Sequence, residues 1–363
     1  MSAFSAVAGL TAINSNHLRT VSITRDNALD FYRLMQEQAA QHASANTDAS
    51  QESVMAERLY LTAIENKGIN AFMVCHENVP LGAATFIRSQ TEEGSSLYLE
   101  DLITTERARS RGIGRFSMSA LSQIALRRGY KNLLWECAAH NVTAQKFYTG
   151  IGADIYADRD TWRCLGPTLG RNRGEVSRHY VVSEISRASI HDAVRLIQGQ
   201  TEKPSSKFLA DWLHSEAVAP HANEVFLIAR RTETNNIVGM TYGYRNYSTF
   251  RMCCGLHING LFFSEGHEAA ATALMQELSL IQDSRGWNGH TDITLKQGQS
   301  NLRNILTTSG YAPLTYGDDR MIVRRLGGDQ LERLAAQCPM TVNDEIVANV
   351  PERAKFTSPS PTF

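Results

Sequence analysis

Apolar and polar positions alternate from Leu18 to Ile23, which predicts a strand. Leu29, Tyr32, Arg33 and Gln36 then follow at helical spacing, which predicts a helix capped by Thr24 and running to about Gln41. The polar stretch His42 to Ser50 reads as a loop, and Gln51 to Asn66 as a second helix. Ala71 to Cys75 and Leu81 to Ile87 read as strands joined by a turn at Asn78 and Pro80, and Leu97 to Thr104 as a third strand. Phe116, Ala120, Leu121 and Ile124 share one face of a helix from Gly114 to Arg128, which Gly129 stops. Asn132 to Cys137 reads as a strand, Val142 to Gly150 as a helix, and the stretch to Arg163 as further strand.

Leu165 to Arg178 holds turn formers and arginines with no apolar period, and reads as a linker. The order of elements then recurs, with strand at Tyr180–Ile185, helices at His191–Gln198 and Lys207–His214, and strands at Val225–Ala229, Ile237–Tyr244 and Gly255–Phe263. A helix at His267–Arg285, a strand at Thr291–Leu295 and a helix at Asn301–Thr308 follow. Leu97-Tyr98-Leu99 matches Leu256-His257-Ile258 at an offset of 159, and Gly152-Ala153 matches Gly310-Tyr311. Repetition on this scale predicts two similar units, each α/β (α+β) with a mixed central sheet flanked by helices. The expected division is a leader at 1–17, a first domain at 18–168, a linker at 169–178, a second domain at 179–327, and a short helix with a flexible Ser/Pro-rich tail at 328–363.

Composition narrows the function. Lys and Arg number 36 against 37 Asp and Glu, so no bulk field points to nucleic acid or to an anionic membrane. No apolar run reaches the ~20 residues of a membrane span. Ala3 to Ile13 lacks the positive start of a signal peptide, the first basic residue being Arg19. The six cysteines form no CxxC pair, and the histidines show no metal spacing. These features describe a soluble, cytoplasmic protein with reduced thiols and no metal.

The informative stretch runs from Leu97 to Ala153. A strand ends, and Arg109-Ser110-Arg111-Gly112-Ile113-Gly114 leads straight into a helix. Glycines let backbone amides approach a phosphate, and the helix start adds unpaired amides and a positive dipole end. Arg109 and Arg111 supply fork-shaped positive charge. Such a loop suits a pyrophosphate.

The pattern Arg-x-x-Gly-x-Gly at a strand-to-helix junction resembles the acetyl-CoA loop of the GNAT N-acetyltransferase superfamily. Asn141-x-x-Ala144-x-x-Phe147-Tyr148-x-x-x-Gly152-Ala153 resembles that superfamily's second signature. Leu97-Tyr98-Leu99-Glu100-Asp101, the Gly-Ile-Gly loop, Leu-Ser-Gln-Ile-Ala in the helix and Thr161-Trp162-Arg163 resemble the diamine (spermidine/spermine) N-acetyltransferase branch.

The resemblance implies tandem GNAT folds arranged as a pseudo-dimer. The pantetheine arm of acetyl-CoA would lie between splayed strands Leu97–Thr104 and Asn132–Cys137 as an added strand. Acetyl-CoA contacts are implied at Leu102, Ile103, Thr104, Arg109, Ser110, Arg111, Gly112, Ile113, Gly114, Arg115, Asn141, Ala144 and Tyr148. Backbone amides near Leu102 to Thr104 would polarise the thioester carbonyl. Glu100 would act as base, directly or through a water, on an amine with a pKa near ~10.4. Tyr148 would protonate the departing thiolate. The family's acidic and aromatic substrate residues ahead of Leu97 have no direct counterpart; Glu92 and Glu93 stand in. His42, Glu100, Asp101 and Trp162 complete the expected contacts with a small polyamine or diamine.

Acetylation of a lysine side chain, an aminoglycoside or an amino acid is the alternative enzyme reading, and an acetyl-CoA-sensing module the alternative outside catalysis. The second half lacks the chemistry, with Asn259-Gly260 in place of Glu100-Asp101 and Leu306 in place of Tyr148. Glu268, Ala271 and Ala273 align with Arg109, Gly112 and Gly114 at the offset of 159. The chain is therefore expected to be a monomer with one active site, its second half a built-in dimer partner.

Overall fold

The computed structural model describes residue 13 and residues 15–40, 51–66, 68–91, 94–156, 159–166, 178–200, 205–218, 223–249, 251–296, 299–316 and 319–352. His42, Glu92, Glu93, most of the expected linker and the tail lie outside the described residues.

The first half comprises β1 (Leu18–Ser22), α1 (Ala28–Ala40), α2 (Glu52–Leu59), β2 (Asn70–His76), β3 (Val79–Thr91), β4 (Gly94–Thr104), α3 (Ile113–Arg127), β5 (Asn132–Ala138), α4 (Val142–Gly150), β6 (Asp154–Ile155) and β7 (Arg159–Leu165). The second repeats that order as β8 (Tyr180–Glu184), α5 (Ile190–Gln198), α6 (Ser206–Trp212), β9 (Glu224–Arg231), β10 (Ile237–Ser248), β11 (Cys253–Phe263), α7 (Glu268–Arg285), β12 (His290–Lys296) and α8 (Ser300–Thr308). It continues with β13 (Ala312–Pro313), β14 (Thr315–Tyr316) and β15 (Asp319–Gly327), and α9 (Gly328–Ala336) and α10 (Asp344–Asn349) follow. In both halves the second helix ends in a π-helical turn, at Tyr60–Glu65 and Leu213–Ala217.

The strands form two mixed sheets that exchange members. One has the order β1-β2-β3-β4-β5-β15-β14 with β6 against β15; the other has β13-β7-β12-β11-β10-β9-β8. β15 runs antiparallel to β5, with Met321 opposite Ala138 and Gly327 opposite Asn132. β7 runs antiparallel to β12, with Arg159 opposite Lys296 and Leu165 opposite His290. The strand expected to finish the first half thus lies in the second sheet, and β15, near the end of the second half, lies in the first. A division at residues 168 to 179 does not follow the sheets.

Helices cover both faces of each sheet. Phe116, Ala120, Leu121 and Ile124 of α3 are buried together with Leu97, Leu99 and Trp135, as their spacing predicts. Phe31, Tyr32, Leu34 and Met35 of α1 pack on the opposite face with Met73, Ala83 and Ile103. α7 and α8 cover one face of the second sheet, and α5 and α6 the other. After β15 the chain stays on the first half. Tyr130 Oη donates to Pro351 O at 2.7 Å, Arg127 Nη1 to Val342 O at 3.0 Å and Arg128 Nη2 to Ala348 O at 3.0 Å.

A buried polar cluster ties the halves together. The Arg88 guanidinium on β3 pairs with Glu216 and, at 2.8 Å, with Glu224. Gln90 Nε2 donates to Glu224 at 3.0 Å, Trp212 Nε1 to Gln90 Oε1 at 3.1 Å and Ser95 Oγ to Glu216 at 2.7 Å. Removing Arg88 would leave two buried carboxylates without their cation, at a cost of about 3–5 kcal/mol. No described helix is long and apolar enough to cross a membrane.

Candidate active site

The site begins where β4 and β5 part. Their parallel ladder pairs Leu97 with Leu133, Tyr98 with Leu134 and Leu99 with Trp135, and goes no further. From Glu100 to Thr104, β4 has no strand partner on that side among the described residues, so the two strands splay into a V with an open backbone edge. A bulge marks the apex: Thr85 faces Asp101 and Phe86 faces Leu99, leaving Glu100 as the extra residue. A bulge twists the strand and re-aims a side chain. The second half has the same device, with Asn259 as the extra residue between Ile258 and Gly260. Leu102, Ile103 and Thr104 lie on the open arm of the V.

The loop from Arg109 to Gly112 is exposed and turns sharply. Ser110 and Gly112 adopt left-handed backbone, at φ 59° and 85°. Gly112 caps α3 with no side-chain hydrogen bond at the cap, and a Cβ there would meet nothing within 4 Å. The helix start therefore faces open space, the arrangement an anion needs. Gly114 sits where a Cβ would come within 3.3 Å of the Phe147 ring, which seats α3 against α4. Ile113 is buried and Arg115 reaches Gln337 at 3.2 Å. Asn141 caps α4 by accepting from Ala144 N at 3.1 Å, so this pair shapes the helix that carries Tyr148.

Tyr148 is buried, its ring 4.9 Å from that of Trp135 and 5.2 Å from that of Phe147. Burial pushes its hydroxyl well above the usual range; Cys137 adds to the effect and Arg324 opposes it. The phenol therefore keeps its proton at neutral pH. Arg324, on the exchanged β15, donates to Gln145 Oε1 at 3.0 Å and to Thr149 Oγ1 and Ala153 O at 3.4 Å. The second half's strand thus holds α4 in place.

A cleft of about 240 Å³ opens beside Glu100, between the halves. Its walls include Tyr98, Glu100, Asp101 and Glu136 from the first half's sheet and Asn246, His257, His290 and Asp292 from the second. Arg163 reaches it from β7 and grips Asp292 with Nε at 2.6 Å and Nη2 at 2.7 Å. Thr85 Oγ1 and Thr249 Oγ1 donate to Asp101 at 2.5 and 3.1 Å, one from each half.

These groups titrate far from their ordinary values. Burial raises the Glu100 carboxyl well above the carboxylate range, Asp101, Asp292 and Glu136 add to it, and Arg163 pulls the other way. Glu136 is pushed up to about 7 by burial, against a hydrogen bond from Thr161. Asp101 is raised by burial against its two threonine bonds. Burial alone would raise Asp292, but the Arg163 fork outweighs it and holds the carboxyl below its usual range. His257 and His290 are lowered by burial to about 4 and are neutral at pH 7. The cleft therefore presents several carboxyl groups against one arginine.

Trp162 is not among the residues of this cleft. It lies in the second half's core, with its strand neighbour Arg163 facing the cleft instead. Because β7 joins the second sheet, alternation turns Trp162 inward there. Glu136, Arg163, Asn246, His257, His290 and Asp292 are absent from the sequence-based site. A single charge inside an otherwise apolar strand, as with Glu136 in Asn132–Cys137, is the signal that could have marked it.

The second half is built differently at the same places. Tyr311 N donates to Leu306 O at 2.9 Å as Ala153 N does to Tyr148 O at 3.0 Å, so Leu306 does occupy the tyrosine's position. The helix alignment needs correction: Gly129 and Gly286 are equivalent left-handed stops, at an offset of 157. Residues 264–267 replace 105–112 before the helix, so the counterpart of the Arg109–Gly112 loop is shortened and the pairing of Arg109, Gly112 and Gly114 with Glu268, Ala271 and Ala273 does not hold. Asn259 donates to Ser89 Oγ at 3.1 Å and to Gln90 O, and the V around it retains a space of about 30 Å³. That is room for a water or two. A larger cleft of about 560 Å³ lies beyond it, lined by Glu265 and Glu268 where the first half has its arginine loop. Among the described residues, no group of three or more His, Cys, Asp or Glu is placed to hold a metal ion.

Residues 28–153 match the model of the acetyltransferase (GNAT) family, and this stretch is a GNAT acetyltransferase domain. Among solved structures, the chain resembles a tandem GNAT protein from the clavulanic acid biosynthesis pathway, at 12% identity and a TM-score of 0.48 over 85% of this chain and 98% of that one. A GCN5-related N-acetyltransferase from Sphaerobacter thermophilus matches at 14% identity and a TM-score of 0.48 over 86% and 96%. A putative acetyltransferase from Pyrococcus horikoshii matches at 11% identity and 0.43 over 90% and 95%.

Proposed function

We propose that the chain moves an acetyl group from acetyl-CoA to a primary amine of a small diamine or polyamine, at one site in its first half. The observation that carries this reading is Glu100: a carboxyl on a bulge at the apex of the open V, in a cleft lined by several carboxyl groups, with its proton affinity raised by burial. Acetyl-CoA, the co-substrate, supplies a thioester. Its pantetheine would add to the open β4 edge from Leu102 to Thr104, and its pyrophosphate would meet the Arg109–Gly114 loop and Arg115.

The amine enters protonated, drawn by the carboxyl groups. Glu100, in its ionised form, takes its proton, directly or through a water, and its raised proton affinity makes it the stronger base. The nitrogen lone pair then attacks the thioester carbon, forming the N–C bond; the C–S bond breaks with its electrons going to sulfur, and the acylated nitrogen gives up its second proton, leaving the neutral amide and making good the proton the thiolate takes up. Tyr148 hydrogen-bonds to the leaving thiolate, and any proton it gives is replaced by the one the nitrogen loses. The phenol holds its proton more tightly than a thiol of pKa ~8.5 does, so its hydrogen bond does most of the stabilising. The 240 Å³ cleft suits a small amine. The second half serves as the built-in partner of a monomeric protein: it walls the cleft and closes the first sheet, and its own V is nearly filled.

The test is thiol release from acetyl-CoA with putrescine, 1,3-diaminopropane, spermidine, a lysine peptide and an aminoglycoside. Diamines should be the best acceptors. Glu100→Gln should lose about 10²–10⁴-fold in kcat. Peptides outrunning every diamine would overturn the substrate assignment, and a Glu100→Gln enzyme of wild-type rate across pH would overturn the base.

A further inference from the structure

The ladder between β4 and β5 ends at Leu99 and Trp135, and the next residue on each arm of the V is a glutamate, Glu100 on β4 and Glu136 on β5. Both line the cleft. Two carboxyl groups therefore flank the apex, where a thioester held in the V would meet an amine held in the cleft.

A chain of side chains from three other strands holds Glu136. Thr161 Oγ1, on β7, donates to Glu136 Oε1. Thr294 Oγ1, on β12, lies 3.3 Å from Thr161 Oγ1, and His257 Nε2, on β11, lies 2.8 Å from Thr294 Oγ1. A threonine hydroxyl has one hydrogen. Thr161 spends its own on Glu136, so it accepts from Thr294, and Thr294 accepts from the Nε2–H of neutral His257. Every hydrogen thus points toward the carboxylate, and bonds ordered in this way reinforce one another. Among the described residues Glu136 accepts no other hydrogen bond, so its second oxygen is left to the cleft. Around it stand Tyr98 and Glu100 of β4, Arg163 of β7, Tyr244 of β10 and Asp292 of β12. With burial outweighing the Thr161 bond, its proton affinity is set at about 7, where a group both takes and releases protons readily in neutral solution.

We infer that Glu136 is a second catalytic carboxylate, which takes the proton that the acylated nitrogen loses, with Thr161, Thr294 and His257 as its positioning residues. This rests on the reading of the cleft as the amine site. A primary ammonium sheds two protons on its way to an amide. Glu100 takes the first and is then neutral until it returns that proton to water. When the second N–H bond breaks, its electron pair stays on nitrogen and the proton passes to the free oxygen of Glu136, which hands it on to water in the cleft. Of the two protons, one ends in solvent and the other makes good the proton on the CoA thiol. Thr294 and His257 belong to the second half, so the degenerate half reaches the chemistry through the chain.

The experiment is the pH dependence of putrescine acetylation. Glu136→Gln keeps an acceptor for Thr161 and loses the proton acceptor, so kcat should fall about 10²–10⁴-fold. On the acid side, log kcat/KM should drop by about two per pH unit in wild type, where both carboxyls must ionise, and by about one in Glu136→Gln. Thr161→Val removes the bond that favours the ionised form, so its acid limb should move to higher pH; Thr161→Ser keeps the hydroxyl and should leave the limb in place. A Glu136→Gln enzyme with raised KM and unchanged kcat would overturn the inference, making Glu136 only an attractor of the ammonium. An acid limb with a slope of about one in wild type, or one that Thr161→Val does not move, would overturn it too. A wild type that acetylates no amine would instead remove the reading of the cleft, and this role with it.

Discussion

Replacing Glu136 by glutamine should stabilise the protein, and by an amount that depends on pH in a defined direction. The carboxyl sits on β5 in the cleft and accepts a hydrogen bond from Thr161 Oγ1, which a glutamine oxygen can also accept. Its proton affinity is raised from the ordinary 4.5 to about 7. Below pH 4.5 the group is protonated in both the folded and the unfolded chain, and costs nothing. Above it the unfolded chain releases the proton while the folded one keeps it, so stability falls as pH rises, until the folded group ionises near 7. At 1.36 kcal/mol per pH unit the accumulated cost is about 3 kcal/mol above pH 7. Glutamine never ionises, so Glu136→Gln should match wild type near pH 4.5, gain on it through pH 6, and level off about 3 kcal/mol ahead at pH 8. Urea unfolding at those three pH values, followed by tryptophan fluorescence, measures the difference. A gap that is constant with pH, or that narrows as pH rises, would refute the electrostatic account of the cleft. The same variant removes one of the charges that raise Glu100, so the acid limb of its kcat/KM profile should move to lower pH.

Further outcomes follow from the proposed site. Gly112→Asp should abolish measurable acetyl-CoA binding by calorimetry, while Gly112→Asn, equally suited to left-handed backbone, should retain most of it; equal loss in both would mean strain rather than charge. Tyr148→Phe should lose about 10²–10⁴-fold in kcat yet bind acetyl-CoA like wild type, and near-normal turnover would remove the tyrosine from the reaction. Light scattering should give the mass of one chain, and a stable dimer would contradict the built-in partner.

Much of the fold is legible because it rests on local periodicity. The face of α3, the stop at Gly129 and the recurrence of strand and helix order need only neighbouring residues. Glu100 can be singled out because the motif around it is contiguous. What escapes is partnership at a distance. Arg159–Leu165 reads as a strand, but nothing in its alternation says which sheet receives it, and so Trp162 rather than Arg163 is expected in the cleft. Asn246, His290 and Asp292 enter the cleft from strands more than a hundred residues beyond Glu100, in a half whose own signatures are erased. The loop before α7 is misaligned because a constant offset cannot register a deletion.

The strand exchange also sets a timetable. During synthesis, β5 emerges with β4 on one side and nothing on the other, and its proper neighbour, Asp319–Gly327, follows almost two hundred residues later. At ~5–20 residues per second that is an interval of roughly 10–40 s. Throughout it an apolar strand edge is unsatisfied, and such an edge invites association with other chains. Completion of the first sheet therefore waits until Asp319–Gly327 has been made, and until then the nascent first half carries an edge that its own earlier strands do not close in the finished fold.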